Sequence, residues 1–254
     1  MIYINSNFVL LKDCFLKINS MGWIESKYKG SGAVGRTFEE LLGLPFNEFE
    51  IPDFNGIEIK TRRYNSKSYI SLFNAALDGK MLFQTKIVVD KYGWPSKLYP
   101  ATKILYCDIN GEKFSYVGMK YIMKAQLDYN DMCIYLNVFS KNGVPISLKE
   151  YCWSFELLED KLKRKLNFLA LVLAENKFVN GKEFFFYKEI KFYKLVSFNK
   201  FCELISLGLI KISFKNGVYK NGKNCGKSYD HGTSFSIQKN DLDKLFFTVE
   251  VNNL

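Results

Sequence analysis

The chain has 254 residues, 48% hydrophobic and 17% aromatic, enough for one large core or two small ones. Its formal charge of +10 favours a polyanionic partner, and its one histidine excludes sites built on several histidines. The most apolar run, residues 168–174, is strand-sized and far short of a membrane span. The N-terminus carries Asn5, Asn7, Lys12 and Asp13 among its apolar residues, unlike a secretory signal, so a cytoplasmic protein with no membrane partner is expected. Six scattered cysteines without a C-x-x-C pair predict core thiols, not a zinc site or a disulfide framework. No G-x4-G-K-[ST] loop is present, so a nucleotide-driven motor is not indicated.

In chain order, residues 8–24 have apolar spacing suited to a helix. Residues 32–43 predict a short helix with Val34, Phe38, Leu41 and Leu42 on its apolar face and Gly43 as its C-cap. Glu39 falls at the edge of that face, placed to turn partly inward.

Residues 52–60 read P-D-F-N-G-I-E-I-K, the most informative segment of the chain. Residues 56–62 alternate as a strand, which puts Glu58 and Lys60 on one face. Pro52, Asn55 and Gly56 signal a turn that folds the Asp53 carboxylate back beside that of Glu58. Paired carboxylates suit Mg²⁺, a hard cation that takes oxygen ligands and keeps waters, and a neighbouring lysine can polarise a water and stabilise phosphate charge. The alternative for these residues is a solvated strand face of alternating charge. Of the four arginines, Arg36, Arg62 and Arg63 lie in this region; arginine forks onto phosphate as lysine does not.

Further strands are predicted over 68–73, 103–108, 113–119, 132–139, 168–173 and 183–195. Helices are predicted over 153–166, 198–207 and 239–245, with Ser197 or Asn199 capping the second. The fold class is therefore mixed, α/β or α+β, without internal repeats, and residues 143–145 are the best candidate seam. Residues 215–233 are basic, glycine- and asparagine-rich and punctuated by tyrosine. Such a stretch serves either as a DNA-reading segment or as a solvated hairpin, and His231 either as a base-reading residue or as a hydrogen-bonded loop histidine.

Together these segments resemble the MvaI/BcnI group of type II restriction endonucleases, related to the MutH mismatch-repair nickase. The resemblance runs through G-A-V-G-R-T-F-E-E-L-L-G from Gly32, P-D-F-N-G-I-E-I-K-T-R-R from Pro52, S-K-S-Y-I-S-L-F from Ser66, and D-H-G-T-S-F-S-I from Asp230. It implies a restriction-endonuclease-like mixed sheet flanked by helices, with a catalytic lobe around residues 1–110 plus later segments and a recognition lobe over about 111–240. It implies Glu39, Asp53, Glu58 and Lys60 as catalytic residues. Asp53, Glu58 and the Ile59 carbonyl would hold Mg²⁺, for which Mn²⁺ would substitute; Lys60 would activate the water and Glu39 support the metal or its waters. DNA contacts fall to Arg36, Arg62, Arg63, Ser66, Ser68, Lys223, Tyr229, His231 and Thr233. The implied enzyme is a monomer that cuts the two strands of double-stranded DNA in turn, leaving 5′-phosphates, beside a cognate DNA methyltransferase. The competing readings are a MutH-like nickase, a DNA-binding protein with a degenerate site, and an RNA-binding protein.

Overall fold

The structure, a computed structural model, describes residues 6–44, 52–79, 83–230 and 232–251. The chain divides into two compact units: Met1–Ser68 with Leu162–Val196 and Asp243–Leu254, and Tyr69–Lys161 with Ser197–Leu242. It thus leaves the first unit after Ser68, not near 110, and returns within the helix Phe155–Leu166. The candidate seam at 143–145 is instead the turn of a hairpin joining Cys133–Ser140 to Pro145–Ser154 inside the second unit.

The first unit is built on a mixed sheet in the order Ile24–Glu25, Lys182–Leu195, Phe168–Val179, Glu58–Arg63, with Phe246–Val249 also paired to Lys182–Leu195. Phe168–Val179 is central, antiparallel to one neighbour and parallel to Glu58–Arg63 in the register Leu169↔Glu58 and Leu171↔Lys60. Its residues Leu169 to Ala174 are all buried, the unbroken apolar run expected of a strand covered on both faces. The helix Ser6–Ser20 buries Phe8, Leu11, Phe15 and Ile18, one face at helical spacing. The helix Ala33–Leu41 buries Ala33, Val34, Thr37 and Phe38, and Gly43 follows its end at φ +68°. These side chains meet Ile57, Ile59, Val172, Phe185 and Tyr187 in one core. The first helix ends at Ser20 rather than 24, and Ile24 instead pairs with Phe185 at the sheet edge.

The second unit holds a six-stranded sheet, Ile70–Asn74, Ser234–Ile237, Ile210–Val218, Lys103–Ile109 and Trp94–Pro95 with Ser228–Asp230 beside Ile210–Val218. A four-stranded antiparallel sheet runs Ser115–Val117, Tyr121–Asp128, Cys133–Ser140, Pro145–Ser154. The helix Phe198–Ser206 is capped by Ser197, whose hydroxyl accepts from the Lys200 amide at 3.1 Å; Asn199 lies inside the helix. Its Phe201 packs on Phe73 and Phe235, and Trp153 on Phe214 and Phe235, covering one face of the six-stranded sheet. The helix Gln84–Tyr92 and the strand Ile210–Val218 have no counterpart among the predicted elements.

Candidate functional site

Asn55 and Gly56 build the site. Both have positive φ, 45° and 88°, and Phe54 and Ile57 exchange backbone hydrogen bonds across them at 2.9 and 2.8 Å. This is the two-residue hairpin that Asn-Gly favours, because its central positions both need left-handed backbone. The turn reverses the chain so that the Asp53 Oδ2 accepts from the Ile59 amide at 2.9 Å. The carboxylate is thereby fixed against the start of the strand that carries Glu58 and Lys60.

Glu58 is 2% exposed, and the Lys60 Nζ donates to its Oε1 at 2.5 Å. A second ammonium, that of Lys165, stands 3.7 Å from the same oxygen. The other oxygen, Oε2, is buried without a hydrogen-bond partner among the described residues. Burial pushes the Glu58 carboxyl above the usual range; Lys60 pulls it down, the nearby Asp53 charge pushes it up, and Lys165 pulls it down. Glu39 is raised for the same leading reason, burial, reinforced by Asp53 and opposed by Lys60 and Arg36.

A cleft of about 760 Å³ opens over these groups, lined among others by Arg36 and Glu39 from the helix, Asp53, Lys60 and Arg62. The sequence-predicted quartet Glu39, Asp53, Glu58 and Lys60 is therefore brought together within the first unit. Among the described residues no three His, Cys, Asp or Glu side chains form a ready-made metal cage. The donor set on offer is two carboxylates with room for a carbonyl and water.

The remaining predicted residues divide. Arg36 is exposed at the cleft, with its guanidinium 5.9 Å from the centre of the Tyr28 ring. Arg62 lines the cleft half-buried, and burial lowers its otherwise very high pKa. Arg63 turns away: its Nε and Nη2 fork onto Glu183 at 2.8 Å each, and it also donates to the carbonyls of Gly30 at 3.0 Å and Ser31 at 3.2 Å. Ser66 and Ser68 follow the strand and share a hydroxyl–hydroxyl bond of 2.7 Å. In the second unit Lys223 is exposed and the Tyr229 hydroxyl meets that of Tyr106 at 3.0 Å. Thr233 is fully buried, and its hydroxyl lacks a hydrogen-bond partner among the described residues. His231 lies outside the described residues.

Sequence reasoning missed Lys165 and the role of Arg63. Lys165 ends a helix in the run Lys163-Arg164-Lys165, where a cation also suits the helix dipole, so nothing local distinguishes it. Only the parallel register of the following strand carries it to Glu58.

Two predictions arise from this geometry. Arg63→Ala is expected to cost about 2–3 kcal/mol of stability, because it strands the nearly buried Glu183 carboxylate and releases the carbonyls of Gly30 and Ser31. Arg63→Lys should recover little of it, since an ammonium cannot fork; denaturant melts of both variants decide it. The Arg63 hydrogen bond, against some burial, holds Glu183 below the usual carboxylate range. Its contribution is therefore present above the unfolded carboxylate pKa and is lost as pH falls through the lower folded value.

Glu58 has the opposite sign. With its folded pKa raised, metal-free protein is expected to lose stability as pH climbs from the unfolded value toward the folded one. Glu58→Gln is thus expected to raise the metal-free thermal midpoint at pH 8, where the wild-type carboxyl carries its buried charge. A lowered midpoint would show that the ion pairs, not desolvation, dominate there.

The profile of the MvaI/BcnI restriction endonuclease family matches residues 13–246. The structure is similar to that of the restriction endonuclease MvaI in its complex with cognate DNA substrate, at a TM-score of 0.89 and 29% identity over 97% of this chain and 98% of that one. It is also similar to MvaI in the absence of DNA, with a TM-score of 0.64 and 29% identity over 98% and 99% of the two chains. No curated protein matches the chain. A family match over nearly the whole chain, joined to a full-length structural likeness in the expected mixed fold, shows that this chain belongs to the MvaI/BcnI restriction endonuclease family.

Proposed function

We propose that this restriction endonuclease hydrolyses phosphodiester bonds of double-stranded DNA at a specific sequence, with Mg²⁺ as its cofactor and Mn²⁺ as a substitute. It acts as a cytoplasmic monomer that cuts one strand and then the other, leaving 5′-phosphate ends. A cognate DNA methyltransferase protects the host sites. Of the two units, the one carrying Asp53 and Glu58 is the catalytic lobe and the other the recognition lobe.

The observation that carries this reading is the buried Glu58 Oε2, without a hydrogen-bond partner among the described residues, beside an Asp53 carboxylate fixed by the turn. A buried anionic oxygen left bare costs several kcal/mol unless a cation meets it, so the residues fit a divalent metal. Asp53, Glu58 and the Ile59 carbonyl would hold the ion, and Glu39 would accept hydrogen bonds from its waters. When bound, Mg²⁺ supplies Lewis acidity and a water of lowered pKa. The chain's own groups do the rest. Lys60, anchored on Glu58, orients the attacking water and steadies the charge that grows on the phosphate. Lys165 adds a second positive charge on the same carboxylate. Arg36 and Arg62, at the cleft, grip the neighbouring phosphates.

The test is incubation of unmethylated phage DNA with purified protein and Mg²⁺, followed by sequencing of fragment ends. Discrete fragments whose ends share one short sequence and carry 5′-phosphates are expected. Nicked circles that never become linear would replace this reading with a nickase, and intact DNA would overturn it.

A further inference from the structure

The six-stranded sheet of the second unit has one apolar and one polar face, and the polar face is organised. On Ile210–Val218, residues Lys211, Ser213, Lys215 and Gly217 alternate with the buried Ile210, Ile212 and Phe214. The registers bring Ser234 and Ser236 alongside on one neighbour and Asp108 and Tyr106 on the other. Ser71 joins from the next strand, with its hydroxyl 3.0 Å from that of Ser234. Ser213, Ser234 and Ser236 are buried, so short hydroxyl side chains form a floor between longer ones.

Each end of this floor has a wall. At one, the Tyr106 and Tyr229 hydroxyls meet at 3.0 Å over Gly217, with Tyr219 against Tyr229 at 5.0 Å between ring centres. A Cβ on Gly217 would lie 2.1 Å from the Tyr106 hydroxyl oxygen and 2.6 Å from that of Tyr229, so only glycine lets the tyrosines close across the strand. Tyr106 and Tyr219 are still 45% and 42% exposed. At the other end, the Lys211 ammonium lies 4.1 Å from the centre of the Tyr69 ring and donates to the Asp108 Oδ2 at 2.9 Å.

Asp108 is the informative residue. It is an acid placed between Lys211 and Lys215 on a lysine-bearing face, and its side chain is 56% exposed. Ser213 donates to its Oδ1 at 2.6 Å and Lys211 to its Oδ2, which fixes the carboxylate while leaving a second lone pair on each oxygen. A surface that only gripped phosphates would be weakened by this charge. A surface that reads bases has a use for it, since a carboxylate accepts from the exocyclic amino group of cytosine and rejects the acceptor-bearing edge of guanine.

We propose that this polar sheet face is the base-reading surface of the protein for duplex DNA, with Asp108 accepting a hydrogen bond from a cytosine amino group in the major groove. The inference rests on the endonuclease reading and adds to it the face and the discriminating residue. Lys215 and Lys211 flank the reader as phosphate contacts, and the serine hydroxyls, able to donate or accept, complete the polar floor.

The test compares wild type, Asp108→Asn, Ser213→Ala and Lys215→Ala in Ca²⁺, by fluorescence anisotropy on the duplex found by end sequencing and on each of its single-base-pair variants. Asp108→Asn, whose NH₂ can donate to the guanine acceptors that a carboxylate rejects, is expected to lose about 10- to 100-fold of discrimination at one C·G position while binding unrelated duplex as well as wild type or better. Ser213→Ala should weaken discrimination at that same position. Lys215→Ala should weaken all duplexes alike and lower the slope of log K against log [salt] by about one. Lys200→Ala, on the helix that covers the opposite face, serves as the control and should change nothing. Full discrimination retained by Asp108→Asn at every position would overturn the inference while leaving the nuclease standing. Wild-type protein that neither cuts nor discriminates among duplexes would instead sink the endonuclease reading. Tighter binding to single-stranded RNA of the same sequence would overturn both.

Discussion

Asp53→Asn is expected to fold, to hold duplex DNA and to cut it at least about 10³-fold more slowly, the several kcal/mol of Lewis-acid stabilisation at 1.36 kcal/mol per decade. The substitution keeps the local structure, because an asparagine carbonyl oxygen can still accept from the Ile59 amide that Asp53 Oδ2 now engages at 2.9 Å. What it removes is one of two negative charges. Glu58, already buried and pushed toward its neutral form, cannot hold a divalent ion alone while Lys60 and Lys165 occupy its Oε1. DNA binding should persist and tighten slightly, because a carboxylate facing phosphate has been neutralised. Anisotropy in Ca²⁺ measures the binding, and plasmid cleavage in Mg²⁺ measures the rate. Ca²⁺ is expected to support binding of the wild type without turnover. An Asp53→Asn enzyme cutting within tenfold of wild type would mean that Asp53 is not a ligand.

The parts of this site written in local sequence were readable, and the parts made by long-range register were not. Asn55-Gly56 announces its turn because few residue pairs tolerate two left-handed positions, so the return of Asp53 to Glu58 could be anticipated. The alternation of Glu58 and Lys60 is equally local. Glu39 followed from its place beside Phe38, at the edge of an apolar helix face. Arg63 shows the limit. Two adjacent arginines look alike in sequence, yet one reaches the cleft and the other is locked onto Glu183, 120 residues away, because neighbouring strand residues point to opposite faces. Lys165, on a helix, was hidden because the register of the following strand is what carries it to Glu58.

The second unit was less legible. Residues 210–215 alternate apolar and polar, a strand signal that was missed, and the register adds which neighbours share the face of Lys211, Ser213 and Lys215. Gln84–Tyr92 carries a weak apolar pattern and no side-chain cap, so it gave no start signal. Composition left 215–233 open between a DNA-reading segment and a solvated hairpin, and the family resemblance assigned it to recognition. Its Thr233 is buried, and Tyr229 instead closes with Tyr106 from a strand that composition gave no reason to include.

Lys60→Ala is expected to lower the cleavage rate by about 10²–10⁴-fold, the range for a positioned group that assists proton movement, with little change in duplex affinity. Lys60 is 21% exposed and reaches both Glu58 and the cleft, so it lies between the buried carboxylate and the place where phosphate would sit. Its removal leaves Glu58 with the Lys165 ammonium 3.7 Å away, which keeps the carboxylate partly compensated and the fold intact. Lys165→Ala removes the more distant charge and should cost less, about tenfold. The double variant is expected to lose more than the product of the two single losses, because Glu58 would then be buried without a neutralising partner. Single-turnover cleavage at saturating enzyme separates rate from binding for all three proteins. If Lys165→Ala were as damaging as Lys60→Ala with affinity unchanged, the roles assigned to the two lysines would be reversed. If Lys60→Ala cut at the wild-type rate, the water would need neither.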